Sequence, residues 1–173
     1  MPMIDALIPA GALAPDAEAR LLKELTDILI RAEGYDPGNP IAQRVSVLNL
    51  HRPAAVFVGG VPSSQPRYRV IPSAPEGQYT DESRATLVRE ITEAFARAEN
   101  TSFEDVAPRV WVFPTEIPDG QWGAKGVILR LPDIHALVAG EAHRSEGSER
   151  LWRRRREQAL IARQALAHGQ GAE

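Results

Sequence analysis

The chain has 173 residues, which is enough for about one compact domain with a short appendage and too few for two large domains. Its 43% apolar and 25% charged residues are ordinary for a globular protein, so we expect a folded core. The absence of cysteine excludes disulfides, thiolate metal sites and a cysteine nucleophile, and the net charge of −3 argues against a general nucleic-acid binder.

The amino-terminal stretch lacks the features of an export signal, because Met1 to Ala14 contains Asp5 and Pro9 but no basic residue. Elsewhere, no run approaches the roughly 18 uninterrupted apolar residues of a membrane span. We therefore expect a cytoplasmic protein that does not contact membranes or nucleic acid.

The first part of the chain reads as strand, helix, strand. Residues Pro2 to Ile8 are a strand candidate, and Pro15-Asp16 starts an amphipathic helix that ends with Arg31-Ala32-Glu33 before Gly34. The β-branched run from Val45 to Leu50 then predicts a second strand.

The second part of the chain repeats this order. Residues 91–99 match residues 25–33 at an offset of 66, with the identical ending Arg-Ala-Glu. The helix that they close starts at Thr80-Asp81 and ends before Asn100. Strand candidates flank it at Arg67 to Ile71 and at Val110 to Phe113.

Two βαβ units in tandem predict an α/β (α+β) fold: a four-stranded sheet with two helices on one face, each crossover right-handed and each pair of strands parallel. Repeat 1 covers about residues 2–60 and repeat 2 about residues 66–126, joined by the turn-rich residues 59–66. A sheet with one uncovered face favours association, so we expect an oligomer.

Residues 133–173 form a separate tail in this interpretation. Ser148 to Ala167 predicts a helix that carries four consecutive arginines, Arg153 to Arg156. Its main interpretations are a solvated helix face or a helix that docks on a neighbouring subunit through Trp152. Binding to nucleic acid or acidic lipid is the least favoured interpretation.

The start of the chain contains a candidate catalytic group. Methionine before proline is commonly removed, which would leave the secondary amine of Pro2 as the terminus. Ordinary α-amines titrate at about 7.7 to 8.0, and an apolar pocket or nearby cations lower the pKa of such a group. A neutral prolyl amine can accept a proton, so Pro2 is the candidate catalytic residue.

The combination of Met1-Pro2, two βαβ units and the segment from Glu116 to Gly126 resembles the tautomerase superfamily, specifically 4-oxalocrotonate tautomerase with two units fused in one chain. The resemblance covers about residues 2–132. The stretch Val56 to Gly60 is similar to cis-3-chloroacrylic acid dehalogenase, and Leu50 to Pro53 to malonate semialdehyde decarboxylase.

This resemblance implies an amino-terminal proline that acts as acid and base on enols or unsaturated acids, in a trimer of fused chains. Pro2 matches that role, and Trp122 stands where the family has an aromatic pocket wall. The substrate-binding arginine of the second strand is replaced by Trp111, and Gln78 and Tyr79 stand where a loop arginine is expected.

The departures make hydrolytic dehalogenation improbable. The dehalogenase's helix histidine falls on Leu29 and its water-activating glutamate falls near Ala124, while Pro75 and Gln78 replace its loop arginines. The paired loop arginines of the decarboxylase are missing too.

Few arginines are positioned to replace those of the family. Arg109 lies two residues before Trp111 and so on the same strand face, and Arg67 and Arg69 share one face of the third strand. We take Arg69 and Arg109, with Trp111 and Trp122, as the candidate substrate-binding residues. The four histidines lack neighbours at metal-ligand spacing, so we expect no metal and no cofactor.

The sequence therefore predicts a cofactor-independent tautomerase, an isomerase in which Pro2 moves a proton on the enol or dienol form of a small oxo acid, in a homotrimer. One alternative is a decarboxylase or hydratase of a small three-carbon acid that uses the same proline. Hydration needs a water-activating carboxylate close to Pro2, and the sequence alone does not identify one. The other alternative is a catalytically silent oligomeric binding protein.

Overall fold

A computed structural model describes residues 3–169 of the chain. Its strands are Met3–Leu7 (β1), Val47–His51 (β2), Phe57–Val58 (β3), Val61–Pro62 (β4), Tyr68–Pro75 (β5), Val110–Val112 (β6), Thr115–Ile117 (β7), Trp122–Ala124 (β8) and Val127–Leu129 (β9). Its α-helices are Pro15–Ala32 (α1), Pro40–Val45 (α2), Asp81–Glu99 (α3), Phe103–Val106 (α4), Leu131–Ala139 (α5) and Arg144–Gly169 (α6).

The central sheet has the strand order β2-β1-β5-β6, and the two βαβ units meet where β1 pairs antiparallel with β5. Within each unit the strands are parallel, β1 with β2 and β5 with β6. This confirms the predicted fold class of two tandem βαβ units. The sheet has five strands rather than four, because β5 is long enough to pair with β6 along its first half and with β7 along its second half.

The core lies between the sheet and the helices α1 and α3. Along β1 alternate side chains are buried, as the period of two in a strand requires, and Ile4 and Ala6 face the helices. Leucine and isoleucine side chains of α1 and an apolar stripe of α3 complete the core, among them Leu21, Leu25, Ile28, Leu87, Ile91 and Phe95. Burial of these side chains fixes the register of the sheet.

The opposite face of the sheet exposes apolar side chains. Met3, Val47 and Trp111 lie there, on β1, β2 and β6, and each has more than a third of its surface in contact with solvent. An exposed apolar face of this kind favours association with another protein surface, so oligomerisation stays a prediction that the fold supports.

Helix α3 begins and ends at the residues that the sequence predicts. Thr80 caps α3 by accepting a hydrogen bond from the Ser83 amide, and Asn100 ends it in the left-handed conformation with φ 55°. The short helix α2 was not predicted; Asn39 caps it through its side-chain oxygen, and Pro40 is its first residue. Because α2 includes Val45, β2 begins at Val47 rather than at Val45.

The carboxyl-terminal part of the described chain forms two helices, α5 and α6. The predicted tail helix lies within α6, and α5 was not predicted. The two helices pack closely, since a Cβ atom added at Gly147 would lie 2.8 Å from the Cα atom of Pro132. Leu151 of α6 is buried, whereas the neighbouring Trp152 is 62% exposed. Within the described residues, no helix is long and apolar enough to cross a bilayer.

The turn after β5 is the place where α6 reaches the sheet. Gly77 in this turn has φ +95°, and a Cβ atom added to it would lie 2.9 Å from the Cα atom of Leu151. Only glycine allows this approach without displacing α6.

We expect Gly77→Ala to destabilise the protein more than the matched change Gly126→Ala. Both glycines have positive φ, so both substitutions add backbone strain, but the Cβ atom at Gly126 would meet nothing within 4 Å. The additional loss at Gly77 should be about 1–3 kcal/mol, the usual cost of overpacking, in urea unfolding. Equal losses for the two variants would contradict the close docking of α6 on this turn.

Candidate active site

The candidate site lies at the end of the sheet where β1 begins. Met3, the first residue of β1, pairs with Ser73 near the end of β5. Beyond Ser73 the chain continues into Gly77, Gln78 and Tyr79, all of which are buried. The end of α1 and parts of α5 and α6 meet this segment, so four parts of the chain contribute side chains to one buried cluster.

Glu33, the residue after α1, is a fully buried carboxyl group in this cluster. Its backbone amide donates to the Leu29 carbonyl at 3.0 Å, which holds the residue at the helix end. Burial raises the pKa of the Glu33 carboxyl above its usual value, and the positive charge of Arg150 partly opposes the rise. A carboxyl group with a raised pKa can serve as a proton donor closer to neutral pH.

A chain of hydrogen bonds links Glu33 to the carboxyl-terminal helices. Arg150 of α6 donates to the Glu33 carbonyl oxygen at 2.7 Å and to Gln78 Oε1 at 2.9 Å. Gln78 Nε2 then donates to the Tyr35 hydroxyl at 3.0 Å, and that hydroxyl lies 2.8 Å from His135 Nδ1. The arginine also lies over the Tyr35 ring, 5.6 Å from its centre.

These contacts fix the tautomer of His135. The Glu146 carboxylate 3.2 Å from Nε2 can only accept, so the ring proton of the neutral imidazole lies on Nε2. Nδ1 then accepts from the Tyr35 hydroxyl, which itself accepts from Gln78. Burial lowers the pKa of His135 and raises the pKa of Tyr35 to about 12, which keeps both groups neutral at pH 7.

Tyr79 places a second phenol in the cluster. Its side chain is fully buried, and its hydroxyl has no hydrogen-bond partner among the described residues. Burial raises the pKa of Tyr79, as do the negative charges of Glu33 and Glu116. A buried hydroxyl that keeps its proton and lacks a partner can donate a hydrogen bond to a bound oxygen.

The arginines of α6 hold the neighbouring turn. Arg153 donates to the carbonyl oxygens of Gly77 at 2.9 Å and of Tyr79 at 3.4 Å. Arg154 Nε lies 2.8 Å from Glu116 of β7. Arg155 Nε lies 3.4 Å from Glu76 in the turn after β5. The arginine run is therefore not wholly a solvated face, because three of its four members hold the helix to β7 and to this turn.

The predicted catalytic residue, Pro2, lies outside the described residues. In the chain it directly precedes Met3, the first residue of β1. Because Met3 pairs with Ser73 near the end of β5, β1 begins at the same end of the sheet as the buried cluster.

Three of the predicted substrate-binding residues lie together at the other end of β1. Arg69, Arg109 and Trp111 line a cavity there, beside Leu7. The Arg109 guanidinium is held by Glu99 at 2.7 Å and by Asp105 at 3.1 Å. Trp122 does not line this cavity and is buried in the β8–β9 hairpin. Within one described chain these residues do not surround the start of β1.

The sequence did not predict that one cluster contains Glu33, Tyr35, His135 and Arg150. The shared Arg-Ala-Glu ending was a usable signal, because it places Glu33 and Glu99 at equivalent positions. In repeat 2 Glu99 binds Arg109 and accepts from the Tyr68 hydroxyl. In repeat 1 the corresponding cation comes from α6, more than 100 residues away, and no local pattern predicts that contact.

The described residues contain no group of three or more histidine, aspartate or glutamate side chains that could hold a metal ion.

The fold is the one seen in the solved structures of fused 4-OT proteins. Among solved structures, the chain is similar to the fused 4-OT Q0, a symmetric trimer, at 23% identity and a TM-score of 0.58, over 80% of this chain and 98% of that chain. It is similar to Pt0534 inactivated by 2-oxo-3-pentynoate at 17% identity and a TM-score of 0.59, over 73% and 94%.

Macrophage migration inhibitory factor of Toxoplasma gondii is also similar, at 16% identity and a TM-score of 0.56, over 73% of this chain and 99% of that one. No protein-family model and no curated protein matches the sequence. The similarity is one of fold, and about a fifth to a quarter of this chain lies outside it.

We expect two buried tyrosines to respond differently to loss of the hydroxyl group. Tyr35→Phe leaves the Gln78 amide and His135 Nδ1 without their partner and should lower the free energy of unfolding by about 1–3 kcal/mol. The matched variant Tyr79→Phe removes a hydroxyl that has no partner in the described chain and should leave stability unchanged or higher. Urea unfolding measures both. A loss at Tyr79 as large as that at Tyr35 would contradict the hydrogen-bond assignment.

Proposed function

We propose that the protein is a cofactor-independent tautomerase in which Pro2, exposed by removal of Met1, moves a proton on the enol or dienol form of a small oxo acid. The observation that carries the proposal is the buried cluster around Glu33, at the end of the sheet where β1 begins and Pro2 joins it. The fold supports the proposal as well, and the similar protein Pt0534 is inactivated by 2-oxo-3-pentynoate.

The chemistry assigns one role to each group. The neutral amine of Pro2 takes a proton from carbon or from the enol hydroxyl and returns it at the other position. The Tyr79 hydroxyl is the donor proposed for the oxygen on which negative charge develops. Glu33, whose pKa burial raises, holds a second proton, and the arginine side chains of α6 provide positive charge beside the substrate.

Arg69, Arg109, Trp111 and Trp122 stay in the proposal as substrate-binding residues. The first three lie at the far end of β1 from Met3, so a neighbouring copy would have to bring them to the start of β1. A homotrimer is the assembly that we propose, because fused 4-OT structures of this fold are trimers and the open sheet face exposes apolar side chains.

A second candidate function gains support from Glu33. Hydration or hydrolytic decarboxylation of a small unsaturated acid needs a carboxylate that activates water, and a buried carboxyl group lies at the end of the sheet where β1 begins. In that reaction Glu33 would act as a base in its ionised form, whereas tautomerisation uses it as an acid.

We expect Pro2→Ala to lower the rate of ketonisation of phenylenolpyruvate or of a hydroxydienoate by at least about 100-fold, because it replaces the secondary amine. The control is Pro40→Ala at the exposed start of α2, which should keep the wild-type rate. Mass spectrometry of the purified protein should show that Met1 is absent. Equal rates for wild type and Pro2→Ala would exclude the proposal.

The pH dependence of Glu33→Gln should separate the two candidate reactions. If Glu33 acts as an acid, kcat/KM of the wild type falls as pH rises through its raised pKa, and the variant loses that limb and about 10- to 100-fold in rate. If Glu33 acts as a base, kcat/KM rises over the same range and the variant loses hydration. Glu104→Gln, on the exposed surface, is the control. A variant with the wild-type profile would remove Glu33 from both mechanisms.

A further inference from the structure

The cavity at the start of β5 has the features of a separate binding site. Its volume is about 520 Å³. One wall is formed by the end of β1 and by the segment Val56 to Gly59, and the other by Arg67, Arg69 and Trp111. With roughly 3.3 Å per residue, the four residue steps of β1 put this cavity about 13 Å from the start of β1.

The charge of this cavity is positive. No acidic side chain is among its lining residues. Arg109 is already neutralised by Glu99, at 2.7 Å. Arg67 donates only to the Pro108 carbonyl oxygen at 3.2 Å, and its Nε is buried without a partner among the described residues. Two guanidinium groups, those of Arg67 and Arg69, therefore lack a carboxylate partner in the described part of the chain.

The remaining walls are apolar and aromatic. Trp111 and Phe57 are each 60% exposed, and Val58 beside Phe57 is exposed as well. Large apolar side chains around a positively charged cavity match a ligand with a carboxylate and a flat apolar body.

The repeat relates this cavity to the candidate active site. Just as β1 opens repeat 1, β5 opens repeat 2, and Glu99 beside the cavity is the repeat equivalent of Glu33. At the start of β5 the chain has Arg67 and Arg69, whereas Met1-Pro2 precedes the start of β1. The start of the first strand thus has arginines in repeat 2 and a candidate base in repeat 1.

We propose that the cavity at the start of β5 is a second ligand site, which binds a small monocarboxylate with an aryl or alkenyl body. Arg67 and Arg69 bind the carboxylate, and Trp111 and Phe57 contact the apolar body. This site shares Arg69 and Trp111 with the substrate-binding residues of the proposed function, but it is formed within one chain and no residue of the Glu33 cluster takes part in it.

The test uses 3-phenylpropanoate as the probe and its uncharged amide, 3-phenylpropanamide, as the matched control. Nuclear magnetic resonance follows the three indole N–H signals, assigned with single tryptophan-to-phenylalanine variants. The carboxylate should shift the Trp111 signal and bind about tenfold or more tightly than the amide. Equal affinity for the two probes, or a shift confined to Trp122 or Trp152, would overturn the proposal.

Arginine variants give the second arm of the test. Arg69→Gln, at an exposed strand position, should weaken binding of the carboxylate about tenfold, and Arg67→Gln should weaken it as well. Arg20→Gln, on the exposed surface of α1, should bind like wild type. Unchanged affinity in Arg69→Gln would overturn the proposal even if Arg67→Gln failed to fold.

Pro2→Ala separates this site from the proposed function. Binding at Trp111 should be unchanged in that variant, whether or not the variant loses activity. Loss of the Trp111 shift in Pro2→Ala would show that the cavity belongs to the site at Pro2 and would overturn the proposal of a second site.

Discussion

The contact between α6 and the turn after β5 determines the environment of the candidate site. Arg150 binds the Glu33 carbonyl and Gln78, Arg153 binds the Gly77 carbonyl, and Leu151 closes against Gly77. Together these contacts remove water from the end of the sheet where β1 begins. The raised pKa of Glu33, the neutral His135 and the Tyr79 hydroxyl, which has no partner in the described part of the chain, are consistent with that burial.

The two repeats have the same βαβ scaffold but differ in the residues that surround the glutamate at the end of the helix. Each repeat ends its long helix with Arg-Ala-Glu, and each glutamate lies near an arginine and a tyrosine. In repeat 2 the partners of Glu99 are local, Arg109 and Tyr68, and hydrogen bonds from them hold the pKa of Glu99 low although burial opposes this. In repeat 1 the cation comes from α6 and donates to the backbone carbonyl of Glu33, and burial raises the pKa of the Glu33 carboxyl group. The same scaffold thus holds a structural ion pair between Glu99 and Arg109 in repeat 2 and a candidate acid, Glu33, in repeat 1.

The sequence predicts the parts of this fold that local patterns encode. The β-branched runs, the cap at Thr80 and the left-handed Asn100 all lie where periodicity and turn chemistry put them. Short elements such as α2, and the second half of β5 with β7, depend on tertiary pairing and were missed. The Glu33 cluster was missed for the same reason, because Arg150 and His135 reach it from distant helices. The prediction that Arg109 shares a strand face with Trp111 was wrong, because Arg109 lies in the 3₁₀ turn Ala107–Arg109 before β6 and is buried, whereas Trp111 is exposed. Its buried bond to Glu99 is a tertiary contact that strand spacing does not encode.

The measurement that tests the account most directly is the titration of the Glu33 side-chain carboxyl carbon by nuclear magnetic resonance in the folded protein. Exclusion of water by α6 predicts that this carboxyl group titrates well above the usual glutamate range of about 4.3 to 4.5. Titration at or below that range would show that the group is solvated or fully paired, and would contradict the account of the site as a whole.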